Sequence, residues 1–187
     1  HADTLFSEAG KAEALAQEGI LYCVLDFGVE TVGQLEISLD APEGTVLDIH
    51  AFEMIADSGI QYMGPFQTMR YVCREGKQCF RSRRRRGFRY LAVYIYGNKR
   101  EISIDWIRVR ETRYLVHSGS FSCSDEVLCK VYNMSIRTAE VCMLDLYVDC
   151  PGYEQNPWTG DARVTGLVNL LNFGAFEFDS QYLRLIA

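Results

Sequence analysis

The residues best suited to chemistry lie in one short segment. From Asp149 to Asp161 the sequence reads Asp-Cys-Pro-Gly-Tyr-Glu-Gln-Asn-Pro-Trp-Thr-Gly-Asp, so three carboxylates fall within thirteen residues, with two prolines and two glycines. Enzymes that cleave glycosidic bonds use a pair of carboxyl groups, one protonated and one ionised, around the scissile bond. This loop, with Glu154 between the two aspartates, is therefore a candidate site for such acid–base chemistry.

The neighbours of Glu154 could favour its protonated form. A carboxyl group stays protonated near neutral pH when an apolar wall desolvates it or a negative charge lies nearby. Tyr153 and Trp158 could supply the wall, and Asp149 and Asp161 the charge. The alternative interpretation is a polar loop between two helices, in which Asp161 caps the second helix.

Upstream of this loop the sequence is typical of strands. Polar and apolar residues alternate with a period of two, and segments rich in glycine and charge, such as 40–44, 74–77 and 97–100, separate the alternating stretches. The predicted strands cover residues 22–27, 33–39, 45–52, 69–73, 88–96 and 102–109. Short strands in this number, with turns between them, predict a β-sandwich over residues 20–116.

Around residue 117 the period changes from two to that of a helix. The predicted helices cover 127–143, with Ser124 as the N-terminal cap, then 161–171, and a third that begins near Asp179. The predicted organisation is a linker from a preceding region at 1–19, a sandwich domain at 20–116 and a helical domain at 117–187. The helical pattern still continues at residues 182–187, so we expect a truncated chain.

The candidate loop resembles the hallmark loop of the bacterial α-L-rhamnosidases, glycoside hydrolase family 78. That loop reads Asp-Cys-Pro, a short gap, Glu, and then Trp-x-Gly-Asp, which matches Asp149 to Asp161 here. Upstream, Asp-Phe-Gly at 26–28, Gly-Phe-Arg-Tyr at 87–90 and Gly-Ser-Phe-Ser-Cys-Ser-Asp at 119–125 resemble family segments in the same order. The resemblance extends over residues 20–187.

The resemblance implies a fold and a set of roles. The helices would begin an (α/α)6 barrel, and the enzyme would release terminal α-L-rhamnose with inversion of configuration. Glu154 would be the general acid, Asp149 and Asp161 would bind rhamnose hydroxyls, and Trp158 would line the pocket. The general base would be a glutamate of a later helix. Twelve helices need about 140 residues at about 11–12 each, so the roughly 70 residues after the sandwich imply an incomplete barrel and an inactive isolated chain.

Composition limits the partners that we expect. The net charge of −6 and the lack of a long apolar run argue against nucleic acid and membrane partners. The basic run at 81–86 resembles a nucleic-acid or heparin site, but in an acidic chain a solvated turn, in part facing barrel carboxylates, is the favoured interpretation. We expect a rhamnose-containing oligosaccharide or glycoside as partner, self-association through exposed helix faces, and a periplasmic or extracellular rather than cytoplasmic location.

The cysteines and histidines indicate no cofactor and no metal site. Seven cysteines without a CxxC pair, and three scattered histidines, are best interpreted as buried thiols and ordinary surface residues. The sequence is also compatible with a disulfide bridge between Cys73 and Cys79. The alternative function for the whole chain is a carbohydrate-binding or purely structural β-sandwich without catalysis. Residues 20–116 show no solvent-facing aromatic platform, which argues against the carbohydrate-binding form of this alternative.

Overall fold

The computed structural model describes residues 6–8, 11–17, 19–97 and 101–187. It consists of two compact units, one that ends at Thr112 and one that spans Arg113–Ala187. The first unit is built from antiparallel strands and the second from helices, which confirms the predicted sandwich followed by helices. The division between the units lies a little before residue 117, where the sequence pattern changes.

The first unit is one antiparallel sheet that folds over itself, with a small hairpin beside it. Its strands are β1 (Phe6–Glu8), β2 (Lys11–Gln17), β3 (Ile20–Ala41), β4 (Val46–Phe52), β5 (Ile55–Ala56), β6 (Gly59–Ile60), β7 (Thr68–Val72), β8 (Gly76–Arg81), β9 (Arg86–Tyr96) and β10 (Ser103–Glu111). The order is β1-β10-β3-β9-β4-β7, β2 and β8 also pair with β3, and β5 pairs with β6.

Strand β3 belongs to both layers of the sandwich. Its first half pairs with β2 and β9, and its second half pairs with β10 and β8. A register shift lies between Asp26 and Thr31, and β9 remains paired up to Gly33 before β8 takes its place. Gly28 has a φ of 79° at this point, a conformation that costs glycine little, and its N–H donates to Asp26 Oδ1 at 2.7 Å.

The core of the unit lies between the two layers. Alternate side chains of β3, β4 and β9 point inward, as the period-two pattern predicts. Fully buried aliphatic side chains of this core are Leu35, Ile37, Leu39, Leu47, Ile49, Leu91 and Ile95. Full burial of each such side chain stabilises the fold by roughly 1.5–3 kcal/mol.

A buried carboxylate joins three strands. The Glu36 side chain on β3 is only 3% exposed and accepts a hydrogen bond from Arg81 Nε on β8 at 2.6 Å. Arg108 Nε on β10 donates to its second oxygen at 3.0 Å, and Arg110 Nε lies 3.6 Å from the first. Arg81 opens the basic run, so this residue has a structural role that the solvated-turn interpretation missed.

The other end of the basic run is also structural. Arg86 is buried and donates to the carbonyl oxygens of Arg84 and Thr68 at 3.3 and 3.0 Å. Burial lowers the pKa of Arg86, and the Arg84 charge lowers it further. The two ends of the run therefore fix the turn between β8 and β9 instead of meeting only solvent.

Three parts of the sandwich differ from the sequence-based prediction. Phe6–Glu8 and Lys11–Gln17 are strands paired with β10 and β3, although residues 1–19 resemble a linker. Strand β8 was not predicted, because its inward residue is the polar Gln78. The thiols of Cys73 and Cys79 are free, one buried and one exposed, so they form no bridge.

The second unit contains three helices: α1 (Glu126–Cys142), α2 (Thr159–Val168) and α3 (Phe176–Ile186). The prediction of Ser124 as the cap of α1 is wrong by one residue. The Asp125 carboxylate accepts hydrogen bonds from the N–H groups of Val127 and Leu128 at 2.8 and 3.3 Å. Helix α2 starts before residue 161, and one π-helical turn, Asn169–Phe173, follows it.

An aromatic cluster holds the three helices together. Its buried members are Met143, Tyr147, Ala162, Phe178 and Tyr182. On α1, Leu128, Val131, Ile136 and Ala139 recur at helical spacing. Ile136 and Ala139 are buried, whereas Leu128 and Val131 are exposed. None of the helices described here is long and apolar enough to cross a membrane.

The core predicts the effect of one truncation. Leu91→Ala removes a side chain that is fully buried between the layers, so we expect a loss of about 2–5 kcal/mol in the free energy of unfolding. Val72→Ala, at an exposed position of the same sheet, should cost less than about 1 kcal/mol. Urea denaturation followed by circular dichroism measures both, and equal losses would contradict the assignment of the core.

The Glu36 network predicts a second effect. Glu36→Gln keeps the shape of the side chain but replaces the charge-assisted hydrogen bonds with arginine by weaker ones. The amide N–H group of the new glutamine also faces the guanidinium groups, which are donors as well. We expect the free energy of unfolding to fall by about 1–3 kcal/mol. An unchanged urea midpoint would show that the network contributes nothing. The exposed Glu43 offers the control substitution Glu43→Gln.

Candidate active site

The loop that carries the three carboxylates connects α1 to α2 and is closed at its base. The Asp149 N–H donates to the Asn156 carbonyl at 3.0 Å, and the Asn156 N–H donates back to Asp149 Oδ1 at 2.8 Å. These two hydrogen bonds hold Asp149 and Asn156, seven positions apart in the sequence, next to each other. Asp149 thus anchors the loop, a function that its residue type alone does not indicate.

Cys150 connects the base of the loop to its tip. Its thiol donates to Asp149 Oδ2 at 3.2 Å and accepts the Glu154 N–H at 3.2 Å. Burial raises the pKa of the Cys150 thiol, while backbone N–H groups of Gln155 and Glu154 partly offset this effect. The group therefore remains a thiol and can donate. The interpretation of the cysteines as small hydrophobic residues misses this polar role of Cys150.

The chain turns back at the tip through one unusual residue. Gln155 has a φ of 59°, the only positive φ of a non-glycine residue in the part of the chain that the structure describes. Its side-chain Nε2 donates to the Pro151 carbonyl at 2.7 Å, and Pro151 and Gly152 are buried beneath it. This bond holds a left-handed conformation that costs an ordinary L-residue energy. The conformation lets Glu154 project from the loop.

Glu154 itself is exposed, and its carboxylate has a defined orientation. Its Oε2 accepts the indole N–H of Trp158 at 2.7 Å, whereas its backbone is held by Cys150. Tyr153 and Trp158 are 70% and 54% exposed, so in this chain they do not form the desolvating wall suggested by the sequence. Trp158 instead acts as a hydrogen-bond donor that fixes one oxygen of the carboxylate.

Asp161 lies on the first turn of α2, where a negative charge is favourable. The alternative interpretation of this residue as the helix cap is wrong, because the N-cap position is Trp158, three residues earlier. Its side chain is exposed. The structure thus joins Asp149, Glu154 and Trp158 through one chain of hydrogen bonds by way of Cys150, and it places Asp161 one helical turn beyond Trp158.

A buried polar cluster supports the ends of the helices around the loop, and the sequence analysis did not identify it. Tyr147 donates a hydrogen bond to Asp179 Oδ1 and accepts one from Asn169 Nδ2 at 2.9 Å. Asn169, which is fully buried, also bonds the backbone of Ala175 through both of its side-chain polar atoms, at 3.0 Å each. Burial, and then the bond to Asp179, raises the pKa of Tyr147. In the sequence, the only indication of this cluster is Asn169, a polar residue within an apolar helical run.

Comparison with known proteins gives two family matches that together cover most of the chain. Residues 19–112 match the bacterial α-L-rhamnosidase concanavalin-like domain. Residues 116–187 match the bacterial α-L-rhamnosidase six-hairpin glycosidase domain. A curated α-L-rhamnosidase of Formosa agariphila is 26% identical over 173 residues, which are 86% of this chain and 18% of that protein.

Solved structures of rhamnosidases also superimpose on this chain. A family-78 rhamnosidase from Bacillus sp. GL1 superimposes with a TM-score of 0.86 at 37% identity, over 92% of this chain and 18% of that one. An α-L-rhamnosidase from Streptomyces avermitilis, in complex with L-rhamnose, shares the fold with a TM-score of 0.77 at 21% identity, over 96% of this chain and 18% of that one.

This chain thus spans about a fifth of the length of these relatives. The matches follow the two units of the structure in order, sandwich first and helices second. The chain belongs to the bacterial α-L-rhamnosidases of glycoside hydrolase family 78.

Proposed function

We propose that this chain forms part of an inverting α-L-rhamnosidase, a glycosidase that releases terminal α-L-rhamnose from glycans or glycosides. The observation that carries the proposal is the exposed Glu154 carboxyl group, held on a closed loop by the Trp158 indole. A catalytic group contributes most when its orientation is fixed before the substrate binds.

In this proposal Glu154 is the general acid. Trp158 occupies Oε2, which leaves Oε1 to carry the proton and deliver it to the glycosidic oxygen as the bond to rhamnose breaks. Trp158 also presents its exposed ring as one wall of the sugar pocket. One residue thus sets the direction of the proton and contacts the apolar side of the substrate.

Asp149 and Asp161 bind rhamnose hydroxyl groups in the proposal. Each oxygen of Asp149 already accepts one hydrogen bond within the loop. A carboxylate has about four acceptor sites, so roughly two remain for hydroxyl donors. This engagement argues against Asp149 as the base that activates water. We propose that the base is a carboxylate outside this chain, opposite Glu154 across the sugar, as inversion requires.

The first test uses p-nitrophenyl α-L-rhamnoside, with this chain and with a full-length protein that contains it. We expect release of p-nitrophenol only by the longer protein, because the isolated chain lacks the base. Glu154→Gln should lower kcat by about 10²–10⁴-fold, the usual contribution of a general acid. Glu177→Gln, at an exposed glutamate on the first turn of α3, is the matched control and should leave the rate unchanged.

Trp158→Phe tests how Glu154 is oriented. The substitution keeps an aromatic face but removes the N–H donor, so kcat should fall while KM changes little. Equal activity of Glu154→Gln and the unsubstituted longer protein would contradict the proposed acid. A turnover rate of the isolated chain near that of the longer protein would contradict the proposed location of the base.

We also propose that the isolated chain self-associates through α1. Val127, Val131 and Met134 lie on one face of the helix at four- and three-residue spacing, and all three are exposed. Apolar patches of this kind mark interaction surfaces. Sedimentation velocity should show oligomers that grow with concentration, and Val131→Lys with Met134→Lys should return the chain to monomer. A monodisperse monomer before substitution would rule the proposal out.

A further inference from the structure

The sandwich presents a groove that the proposed reaction does not use. On the outer face of β4, β7 and β9, Phe52 and Ala92 are buried in a cluster with Met63. Beside this cluster the face is open and forms a groove of about 710 Å³ lined by Asp48, His50, Thr68, Arg70, Tyr94 and Tyr96. Its size falls within the roughly 300–1,000 Å³ of small-molecule sites.

One wall of the groove is a rigid aromatic surface. Tyr94 is 41% exposed, and its ring lies against Tyr22 with the centroids 4.7 Å apart. The two rings come from neighbouring strands, β9 and β3, where Tyr22 and Tyr94 are directly opposite each other. Such a surface offers apolar contact area at little cost in side-chain entropy, because the packed ring is already ordered.

The polar side of the groove is a planar pair without net charge. Arg70 donates to Asp48 through Nε and Nη2, at 2.6 and 2.7 Å, and the Tyr96 hydroxyl donates to Asp48 Oδ2 at 2.8 Å. A guanidinium has five N–H donors, so three remain after the two bonds to Asp48. The pair therefore combines fixed donors and acceptors, and the two charges cancel.

From these features we infer that the groove is a second saccharide-binding site, distinct from the Glu154 loop, for a neutral sugar unit of a rhamnose-containing glycan. A pyranose has an apolar C–H face that suits Tyr94, and adjacent hydroxyls that can donate to Asp48 and accept from Arg70. Because the pair is neutral, an ionic ligand gains little there. The choice of glycan rests on the proposed function, whereas the position of the groove does not.

A purely structural explanation of the same residues is that they form cross-strand pairs that stabilise the sheet. Asp48 is directly opposite both Arg70 on β7 and Tyr94 on β9, and such pairs stabilise sheets by roughly 0.2–1 kcal/mol. The chain provides a matched comparison. Arg89 forms an equivalent two-bond pair with Asp26, at 2.8 and 2.9 Å, and neither residue lines the groove. A purely structural role predicts that the two pairs respond alike to every ligand.

The test measures binding of methyl α-L-rhamnoside to the 187-residue chain by saturation-transfer NMR and calorimetry. Tyr94→Ala and Arg70→Ala should each weaken binding by about tenfold or more, the scale of one lost aromatic or charge-assisted contact. Tyr94→Phe keeps the ring. Arg89→Ala removes the comparison pair and the contact of Arg89 with the Tyr90 ring, both outside the groove, so both variants should bind as the unsubstituted chain does. Circular dichroism confirms that each variant is folded.

The variants of the candidate active site separate the two proposals. Binding that is lost in Trp158→Ala, which removes the ring that Trp158→Phe keeps, but is retained in Tyr94→Ala would place the sugar on the Glu154 loop and overturn the groove. Absence of any binding, or equal losses in Arg70→Ala and Arg89→Ala, would also overturn it. Hydrolysis is measured on the longer protein and binding on the 187-residue chain. The binding result can therefore be interpreted even if the longer protein shows no rhamnosidase activity.

Discussion

The sandwich depends on one irregularity in β3. If that strand continued without a break, it would pair along one layer only. A register shift between Asp26 and Thr31 interrupts it, β9 remains its partner up to Gly33, and the second half then pairs with β10 and β8. Asp26 stabilises the bend, since it accepts the Gly28 N–H and also binds Arg89 on the neighbouring strand. The shared core can form only because one strand supplies side chains to both layers.

The candidate site depends on backbone geometry as much as on its carboxylates. The thiol of Cys150 lies between Asp149 and Glu154, and the positive φ of Gln155 reverses the chain just after Glu154. In this chain the cysteine and the close spacing of the two acids therefore determine where the Glu154 backbone lies. Substitutions at Cys150 or Gln155 would therefore move the Glu154 carboxylate without changing Glu154 itself.

Sequence reasoning was strongest where a pattern repeats and weakest where a polar side chain is buried. Alternation revealed β4 and β9, and helical spacing revealed α1. Strand β8 was missed because Gln78 points inward, where its side chain bonds Arg74, Gly76 and Tyr71. The three carboxylates indicated the loop, and the family motif suggested a role for each residue. The engagement of Asp149 and the donor role of Trp158 depend on contacts that no spacing encodes.

The groove could not be predicted from the sequence either, because it forms only when separate strands pair. Tyr22, Tyr94 and Tyr96 are far apart or alternate along the sequence, and no aromatic platform is visible until β3 and β9 pair. Residues 53–67 then cover only part of that face. The solvent-facing tyrosines are thus a property of the sheet and its incomplete cover, which explains why residues 20–116 showed no such platform when considered one segment at a time.

The two tryptophans of the chain lie in different units and have different electronic surroundings. The ring of Trp106 on β10 lies beneath the guanidinium of Arg108 at 4.1 Å, whereas the indole of Trp158 donates to the Glu154 carboxylate. Each unit therefore contains its own intrinsic fluorophore, one beside a cation and one beside an anion. With either tryptophan replaced by phenylalanine, the emission of the other reports the unfolding of a single unit.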